Sequence, residues 1–247
     1  MFAKNVSGTV DEIKSNAAKM SFIAVFGGAI PFLMFFRGLS MMNGAAGSFI
    51  YRFLFVFCAA LAAVFLREKL SWKYAAGAAI ALLGNYVLLG NGAIGFGLGE
   101  ALVLGATMLW AVEWTVTKRM LGKISANSIA VARMLGGSAA MVILVVAAGR
   151  AQTLLAVDAS FLVWSAIVGT SLFAFLSAWY AALEALPLSK ATAILALGGP
   201  VTTVLSYAFG QSVSAGTAAG MLLVALGAAV AAQHSASGGP AATAAAA

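Results

Sequence analysis

Four charged side chains lie inside long apolar runs of this 247-residue sequence: Arg52, Glu100, Glu113 and Arg133. A charge at the middle of a membrane helix costs roughly 2.5 to 3.5 kcal/mol on insertion scales. Such side chains therefore persist where they face a partner or a water-filled cavity. A cavity with fixed charge would recognise an ionic or zwitterionic solute, and Glu113 could also carry a coupling proton.

The same charges also have a structural interpretation. Glu113 and Arg133 lie near the facing ends of two consecutive runs joined by a short connection, so they could form an ion pair inside the bundle. Their aliphatic stems could also carry the charges to the membrane surface. Arg52 lies about two helical turns inside its run, too deep for easy relief at the surface. The sequence leaves both interpretations open.

Aromatic side chains accompany these charges. Trp110 precedes Glu113 by three residues, and Tyr51 adjoins Arg52. Tryptophan at the end of a span is usually an interface anchor, but these rings lie further in, where cavity lining and lipid-facing packing both fit. The predicted substrate-binding residues are Arg52, Tyr51, Trp110, Glu113, Arg133, Trp179 and Tyr180.

Enzymatic chemistry is not indicated. The single histidine, His234, lies in a C-terminal tail, and no Cys/His/Asp cluster has metal-ligand spacing, so no catalytic residue, metal or cofactor is expected. The Gly95-x-Gly97-x-Gly99 stretch lacks the strand and the complete fingerprint of a dinucleotide site. Cys58 stands alone in an apolar run and is interpreted as packing.

Composition predicts a polytopic all-α membrane protein, because 63% of residues are hydrophobic and 9% are charged, against about 25% charged in soluble proteins. A helix crosses the hydrocarbon layer in roughly 20 apolar residues. About eight runs qualify: 21–39, 45–66, 73–90, 98–117, 126–148, 161–183, 190–210 and 214–232. Residues 1–20 are predicted to be a cytoplasmic segment with a short surface helix, and residues 233–247 a disordered tail.

The formal charge of +7 is distributed over short turns, so a nucleic-acid partner is not expected. Numbering the sides alternately, the N-terminal side collects Lys4, Lys14, Lys19, Arg67, Lys69, Lys73, Lys118, Arg119, Lys123 and Lys190. The positive-inside rule then predicts a multi-pass membrane protein with both termini in the cytoplasm.

Part of the sequence is written twice. The identical pairs 143 residues apart include Ser71 and Ser214, Gly77 and Gly220, and Gly84 and Gly227. The first copy follows an even number of runs and the second an odd number, so the two copies are predicted to be inverted. The repeats are residues 21–90, with three helices, and 98–232, with five.

Small residues and prolines mark where helices approach and bend. Gly216-x-x-x-Gly220 and Ala75-x-x-x-Ala79 allow close helix packing, and the same faces could join two copies into a homodimer. Pro31 and Pro200 interrupt the backbone hydrogen bonds of their runs, which is tolerated where a neighbour or a cavity satisfies the freed carbonyl. Glu68, between Arg67 and Lys69, is interpreted as a topology-fixing turn residue.

These features resemble the drug/metabolite transporter superfamily, specifically its EamA-type members. The resemblance covers residues 11–232, and in the first repeat the turn before Gly77 is similar to the family's Gly-Glu-x-Leu-Ser/Thr turn, with Arg67 at the glycine position. The matching residues are Leu66-Arg67-Glu68-Lys69-Leu70-Ser71, Gly77, Gly84, Gly99-Glu100, Trp110-Ala111, Ala182-Leu183, Pro187, Ala191 and Pro200. The resemblance implies two inverted five-helix repeats, of which this chain is expected to lack the first two helices, giving 3+5.

The resemblance implies a secondary transporter of the inner cell membrane that moves a small organic solute, amino-acid-like or another metabolite, across it by alternating access. Two alternatives stay open. One is a membrane fragment that transports only when another chain completes its cavity, and the other is a flippase-like carrier of lipid headgroups. Nothing in the sequence identifies the solute, the direction, the coupling ion or the oligomeric state.

Overall fold

The computed structural model describes residues 2–90, 95, 97–154, 157–210 and 214–235, and within these ranges its regular structure is helical. The predicted tail lies mostly outside them. His234, assigned to that tail, is described as the C-cap of the last helix, where its carbonyl accepts a hydrogen bond from the Ser71 hydroxyl at 2.9 Å.

A short helix, α1 (Phe2–Ser15), precedes the helices predicted as spans, and every predicted run is helical to within a few residues. α3 and α8 are each broken into two segments, a and b. The bounds are α2 Ala17–Leu39, α3a Gly44–Tyr51, α3b Leu54–Phe65, α4 Trp72–Leu89, α5 Leu98–Met120, α6 Ala126–Ala147, α7 Ala159–Ala185, α8a Leu188–Leu195, α8b Gly198–Ala208 and α9 Ala215–Gln233.

Six helical stretches in the described part of the chain are long and apolar enough to cross a membrane. They are α2, α3, α6, α7, α8 through Leu205, and α9. α4 and α5 are not among them, since α4 carries Lys73 and Asn85, and α5 carries Glu100, Glu113 and two basic residues in its last turn. The all-helical, multi-pass architecture is confirmed, whereas the count of eight crossings is not.

The chain divides into two compact units, residues 1–32 with 117–185, and 33–116 with 186–247. The first unit contains a close crossing of α2 and α6. A Cβ at Gly28 would lie 2.8 Å from the Arg133 carbonyl oxygen and 2.9 Å from the Gly137 Cα. Both helices contain a π-helical segment here, Ala24–Ala29 and Ala132–Gly136. Glycine is therefore needed for the two backbones to touch.

In the second unit, α4 and α9 pack together along their glycines. A Cβ at Gly77 would lie 2.7 Å from the Gly227 carbonyl oxygen, and one at Gly84 would lie 2.6 Å from that of Gly220. Residue numbers rise along one helix as they fall along the other, so the helices are antiparallel. Gly220 and Gly227 are the repeat counterparts of Gly77 and Gly84, so the contact exchanges equivalent positions as a two-fold contact does.

Both helices of this pair begin in the same way. The Ser71 side chain accepts a hydrogen bond from the Tyr74 amide, and the Ser214 side chain accepts one from the Thr217 amide. Each serine has extended φ/ψ and satisfies an amide that the helix start leaves without a partner. The sequence repeat is thus also a repeat of local structure.

The predicted runs 45–66 and 190–210 are not continuous helices. α3a ends with the C-cap Arg52 and α8a with the C-cap Ala196, which is 144 residues later. At both breaks one amide bonds back three residues instead of four: Phe53 to the Ile50 carbonyl and Leu197 to that of Ile194, each at 3.0 Å.

The break in α8 has a chemical cause in Pro200, which has no amide to donate to the Ala196 carbonyl. α3 contains no proline, so its break has no such cause. The position of the second break is therefore readable from the sequence, and that of the first is readable only through the repeat.

Candidate functional site

Arg133 is buried in the first unit, with 4% of its surface exposed. It lies in the π-helical segment of α6, where Nη2 donates a hydrogen bond to the Gly27 carbonyl at 3.0 Å and Nη1 donates one to the Tyr180 hydroxyl at 3.1 Å. Two of the predicted site residues, Arg133 and Tyr180, are thus in direct contact.

The Gly27 carbonyl is a special acceptor. It lies four residues before Pro31, which has no amide to complete the usual helical hydrogen bond. The Arg133 guanidinium supplies a donor at that carbonyl. A proline is tolerated in a membrane helix where a neighbouring side chain bonds to the carbonyl four residues before it, and Arg133 makes that bond in α2.

Trp179 and Tyr180 lie in the buried, C-terminal part of α7. The Trp179 ring stacks on Phe175, with ring centroids 6.4 Å apart and an interplanar angle of 13°. Nearer the start of the same helix, Trp164 is exposed, which suits a lipid-facing or interfacial ring. The C-terminal part of α7 therefore packs inside the protein, whereas Trp164 near its N-terminal end is exposed.

An aromatic cluster in the second unit joins two predicted site residues to one that the sequence did not indicate. Tyr51 and Trp110 meet edge to face at 5.6 Å, and Phe35 contacts them at 5.6 Å and 5.4 Å. Phe35 is one of 16 phenylalanines in an apolar chain, so nothing in the sequence distinguishes it. Edge-to-face packing of this kind fixes ring positions.

Arg52 lies at the break in α3, with its side chain half-buried. Its guanidinium rests on Gly199 in the first turn of α8b, since a Cβ there would lie 2.8 Å from Nη2 and 2.9 Å from Cζ. The two breaks of the second unit are therefore connected by one charged side chain. The Gly198-Gly199-Pro200 sequence was the available signal for this contact.

Glu113 is completely buried in α5, where Thr107 and Thr115 are also buried and turn their hydroxyls back to carbonyls of their own helix. Glu113 belongs to the second unit and Arg133 to the first, so their predicted ion pair stays a prediction. Among the residues that the structure describes, no group of three or more His, Cys, Asp or Glu side chains could hold a metal ion.

Glu68 caps a helix from the other repeat. Its buried carboxylate accepts hydrogen bonds from the Leu188 amide at 2.7 Å, the Ser189 amide at 3.1 Å and the Ser189 hydroxyl. A carboxylate at a helix start satisfies free amides and favours the helix dipole. The preceding residue, Arg67, has a φ of 57°, a left-handed conformation that favours glycine.

A second carboxylate, Glu12 of α1, binds the start of α6. The Ser125 amide and hydroxyl donate to its two oxygens at 2.9 and 2.7 Å. Hydrogen bonds from Ser128 and Ser125 lower the pKa of Glu12 below its usual value of 4.5. This contact joins α1 to the start of α6 within the first unit, outside the candidate membrane spans.

The sequence profile of the EamA-like transporter family matches residues 2–90 and again residues 97–233. No curated protein matches the chain significantly. Among solved structures, one described as "Crystal structure of protein" is 20% identical and covers 91% of this chain and 83% of its own, with a TM-score of 0.62. A likeness at that identity concerns the fold alone.

Proposed function

Because the chain belongs to the EamA-like transporter family, we propose that it is a secondary carrier that moves a small organic solute across the inner membrane by alternating access. Family membership and the apolar helices make it a multi-pass membrane protein of the drug/metabolite transporter type. The solute class, the inner membrane, the cytoplasmic termini and the mechanism are the proposed part.

The observation that carries the proposal is the pair of helix breaks at equivalent positions of the repeat. Discontinuous helices in corresponding places of two inverted repeats are the usual location of a transporter's midplane site, because a break presents backbone groups and helix ends to the solute. The antiparallel, reciprocal contact of α4 and α9 supports the inversion of the two repeats.

Within this proposal the predicted residues divide by role. Arg52 lies at the break in α3 and contacts Gly199, next to the break in α8. Tyr51, which precedes Arg52 in the sequence, belongs with Trp110 to the aromatic cluster. Glu113 is the proposed proton-coupling group. Arg133, Trp179 and Tyr180 form a proposed second contact region in the first unit. A homodimer through small-residue faces stays a prediction.

Uptake into proteoliposomes tests the function. The purified chain in phosphatidylcholine vesicles should accumulate at least one member of a panel of radiolabelled amino acids and organic acids, with protein-free vesicles as the control. Counterflow with unlabelled solute distinguishes a carrier from a leak. Absence of counterflow for the whole panel would contradict the intact-carrier proposal.

A second candidate is a subunit that transports only when assembled with another chain. α7 favours it, because 6% of its 18 most apolar consecutive residues are buried, against 28% to 33% in the other five candidate spans. Size-exclusion chromatography with light scattering measures the oligomeric state of the same purified protein that is reconstituted into vesicles, and this distinguishes the two candidates. Flux by a monomer would exclude the assembly requirement.

A further inference from the structure

We propose that the Arg52 guanidinium, held between the two helix breaks, binds the carboxylate of the transported solute. The inference rests on the proposed transport function and names the class of its substrate. That class is a small solute with one negative charge and an apolar body.

The position of Arg52 is built for an exchangeable partner. Arg52 is the C-cap residue of α3a, inside an apolar span. Its guanidinium occupies the space that a Cβ at position 199 would take. Gly198, one residue earlier, has nothing within 4 Å of a Cβ position. Glycine at 199 therefore makes room for the guanidinium, and glycine at 198 does not.

The protein itself does not satisfy this charge. Across the described ranges, no Asp or Glu forms an ion pair with Arg52, and its guanidinium donates no hydrogen bond to another residue. The contrast with Arg133 is informative, because that guanidinium bonds to Gly27 and Tyr180. An intramembrane cation without a protein partner is costly unless a ligand or water compensates it.

The local charge favours a monovalent anion. A guanidinium presents two parallel N–H groups that match the two oxygens of a carboxylate. The segments α3a, α3b and α8b contain no other lysine or arginine and no aspartate or glutamate, so Arg52 is the one charged side chain of α3 and α8b. A dianionic phosphate would leave a negative charge uncompensated in a site of low dielectric constant.

The apolar body follows from the neighbouring rings. Tyr51, adjacent to Arg52 along α3, forms the cluster with Phe35 and Trp110. The simplest molecule with both features is benzoate, which is therefore a suitable probe. Benzamide keeps the ring without the charge, and phenyl phosphate replaces the carboxylate with a group of higher charge.

Arginine footprinting tests the site without measuring transport. The full chain in phosphatidylcholine vesicles is treated with phenylglyoxal, and modification of Arg52 is followed by peptide mass spectrometry. At benzoate of about ten times its Kd, occupancy should make modification of Arg52 roughly tenfold slower. Arg37, exposed in the last turn of α2, is the internal control and should be unaffected.

A matched pair of variants tests the geometry. Gly199→Ala places a Cβ where the guanidinium lies and should abolish the protection by benzoate, whereas Gly198→Ala should retain it. Equal behaviour of the two variants would contradict the assigned position of the guanidinium. Helical circular dichroism and the melting temperature check that both variants are folded.

Several outcomes would overturn the proposal. The first is that benzoate does not protect Arg52 from modification by phenylglyoxal. The second is that benzamide or phenyl phosphate protects it equally. The third is that Arg52 is protected only in vesicles that contain phosphatidylglycerol. The last result would assign the anion to a lipid headgroup.

Flux separates this inference from the transport proposal. Protection of Arg52 without benzoate uptake would refute benzoate transport and leave the site. Uptake that is unchanged by Arg52→Gln would refute the site and leave transport.

Discussion

Arg133 and Arg52 are both guanidinium groups inside apolar helices, yet their surroundings give them different roles. Arg133 bonds to Gly27 and Tyr180 within its own unit, whereas Arg52 rests on Gly199, which has no side chain. Sequence analysis assigned both to one substrate-binding set, because the sequence of an apolar run does not show whether its charged side chain has a hydrogen-bond acceptor in the folded protein. The bond between Arg133 and the carbonyl four residues before Pro31 depends on the packing of α2 against α6, which the sequence does not give.

Replacing Arg133 should destabilise the protein through the Gly27 carbonyl. Arg133→Met removes the two hydrogen bonds that the guanidinium donates to that carbonyl and to the Tyr180 hydroxyl, each worth about 1.5 to 3 kcal/mol as a bond to a charged group. Pro31→Ala restores an amide four residues after Gly27 and should recover part of the loss. Melting temperatures in detergent, arranged as a double-mutant cycle, measure the coupling.

The matched control is Pro200→Ala, which removes the proline next to the break of α8 and should not rescue Arg133→Met. Equal rescue by both proline variants would mean that loss of a kink stabilises the chain in general. The assigned bond between Arg133 and the Gly27 carbonyl would then be unnecessary.

The contact of Glu12 with the start of α6 should depend on pH. Its pKa is lowered in the folded protein, so the contact contributes its full stability above the unfolded value of about 4.5 and loses it as the pH falls through the folded pKa. Glu12→Gln should therefore lower the melting temperature at neutral pH and have a progressively smaller effect below pH 4.5. Asp11→Asn, at an exposed neighbouring position, is the control. A difference that persists unchanged into acid would contradict the assignment.

The turn after α3b carries a strained residue that a single change can relieve. A left-handed backbone costs a non-glycine residue roughly 1 to 2 kcal/mol, and glycine returns part of that gain through its freer unfolded chain. Arg67→Gly should raise the free energy of unfolding by about 0.5 to 1 kcal/mol. Lys69→Gly, where φ is not positive, should lower it. Chemical denaturation of both variants in detergent gives the comparison.

The contact between α4 and α9 depends on the absence of side chains at four glycines. Gly84→Ala would place a methyl group 2.6 Å from the Gly220 carbonyl oxygen, so the helices must separate, at a cost of about 1 to 3 kcal/mol. Gly216→Ala meets only the Ser214 hydroxyl at 3.8 Å and should be nearly neutral. Melting temperatures of the two variants test the difference, and equal losses would contradict the packing.

For the whole molecule, the sequence predicts the helices because long apolar runs in water-free surroundings have few alternatives to helix. The repeat also predicts that Gly77 and Gly220 play equivalent parts, and in the structure both lie in the contact between α4 and α9. No proline marks the break at Arg52, so only its correspondence with the break at Ala196, 144 residues later, could have indicated it. The capping role of Glu68 could not be predicted, because its partner Leu188 lies 120 residues away and only tertiary packing brings them together.

Glu113 gives a prediction for the transport cycle as a whole. Glu113→Gln keeps the shape of the side chain and removes its charge, so it should leave insertion intact and slow proton-coupled uptake by roughly tenfold, or about 1.4 kcal/mol. Uptake driven by an imposed pH gradient, compared with counterflow at equal pH, measures the effect. Equal loss in both assays would indicate a structural role instead of proton coupling.

The cap that Glu68 provides for α8a also constrains how the chain can be assembled. The carboxylate is synthesised and inserted early, while the amides that it will bind emerge 120 residues later, after all of 117–185 has been made. The second unit is thus completed last, because residues 117–185 of the first unit are synthesised between its two sequence segments. Until Leu188 and Ser189 have been synthesised, the Glu68 carboxylate cannot form these hydrogen bonds. An intermediate that lacks the final helices therefore leaves apolar surface of the second unit uncovered, which makes it prone to aggregate.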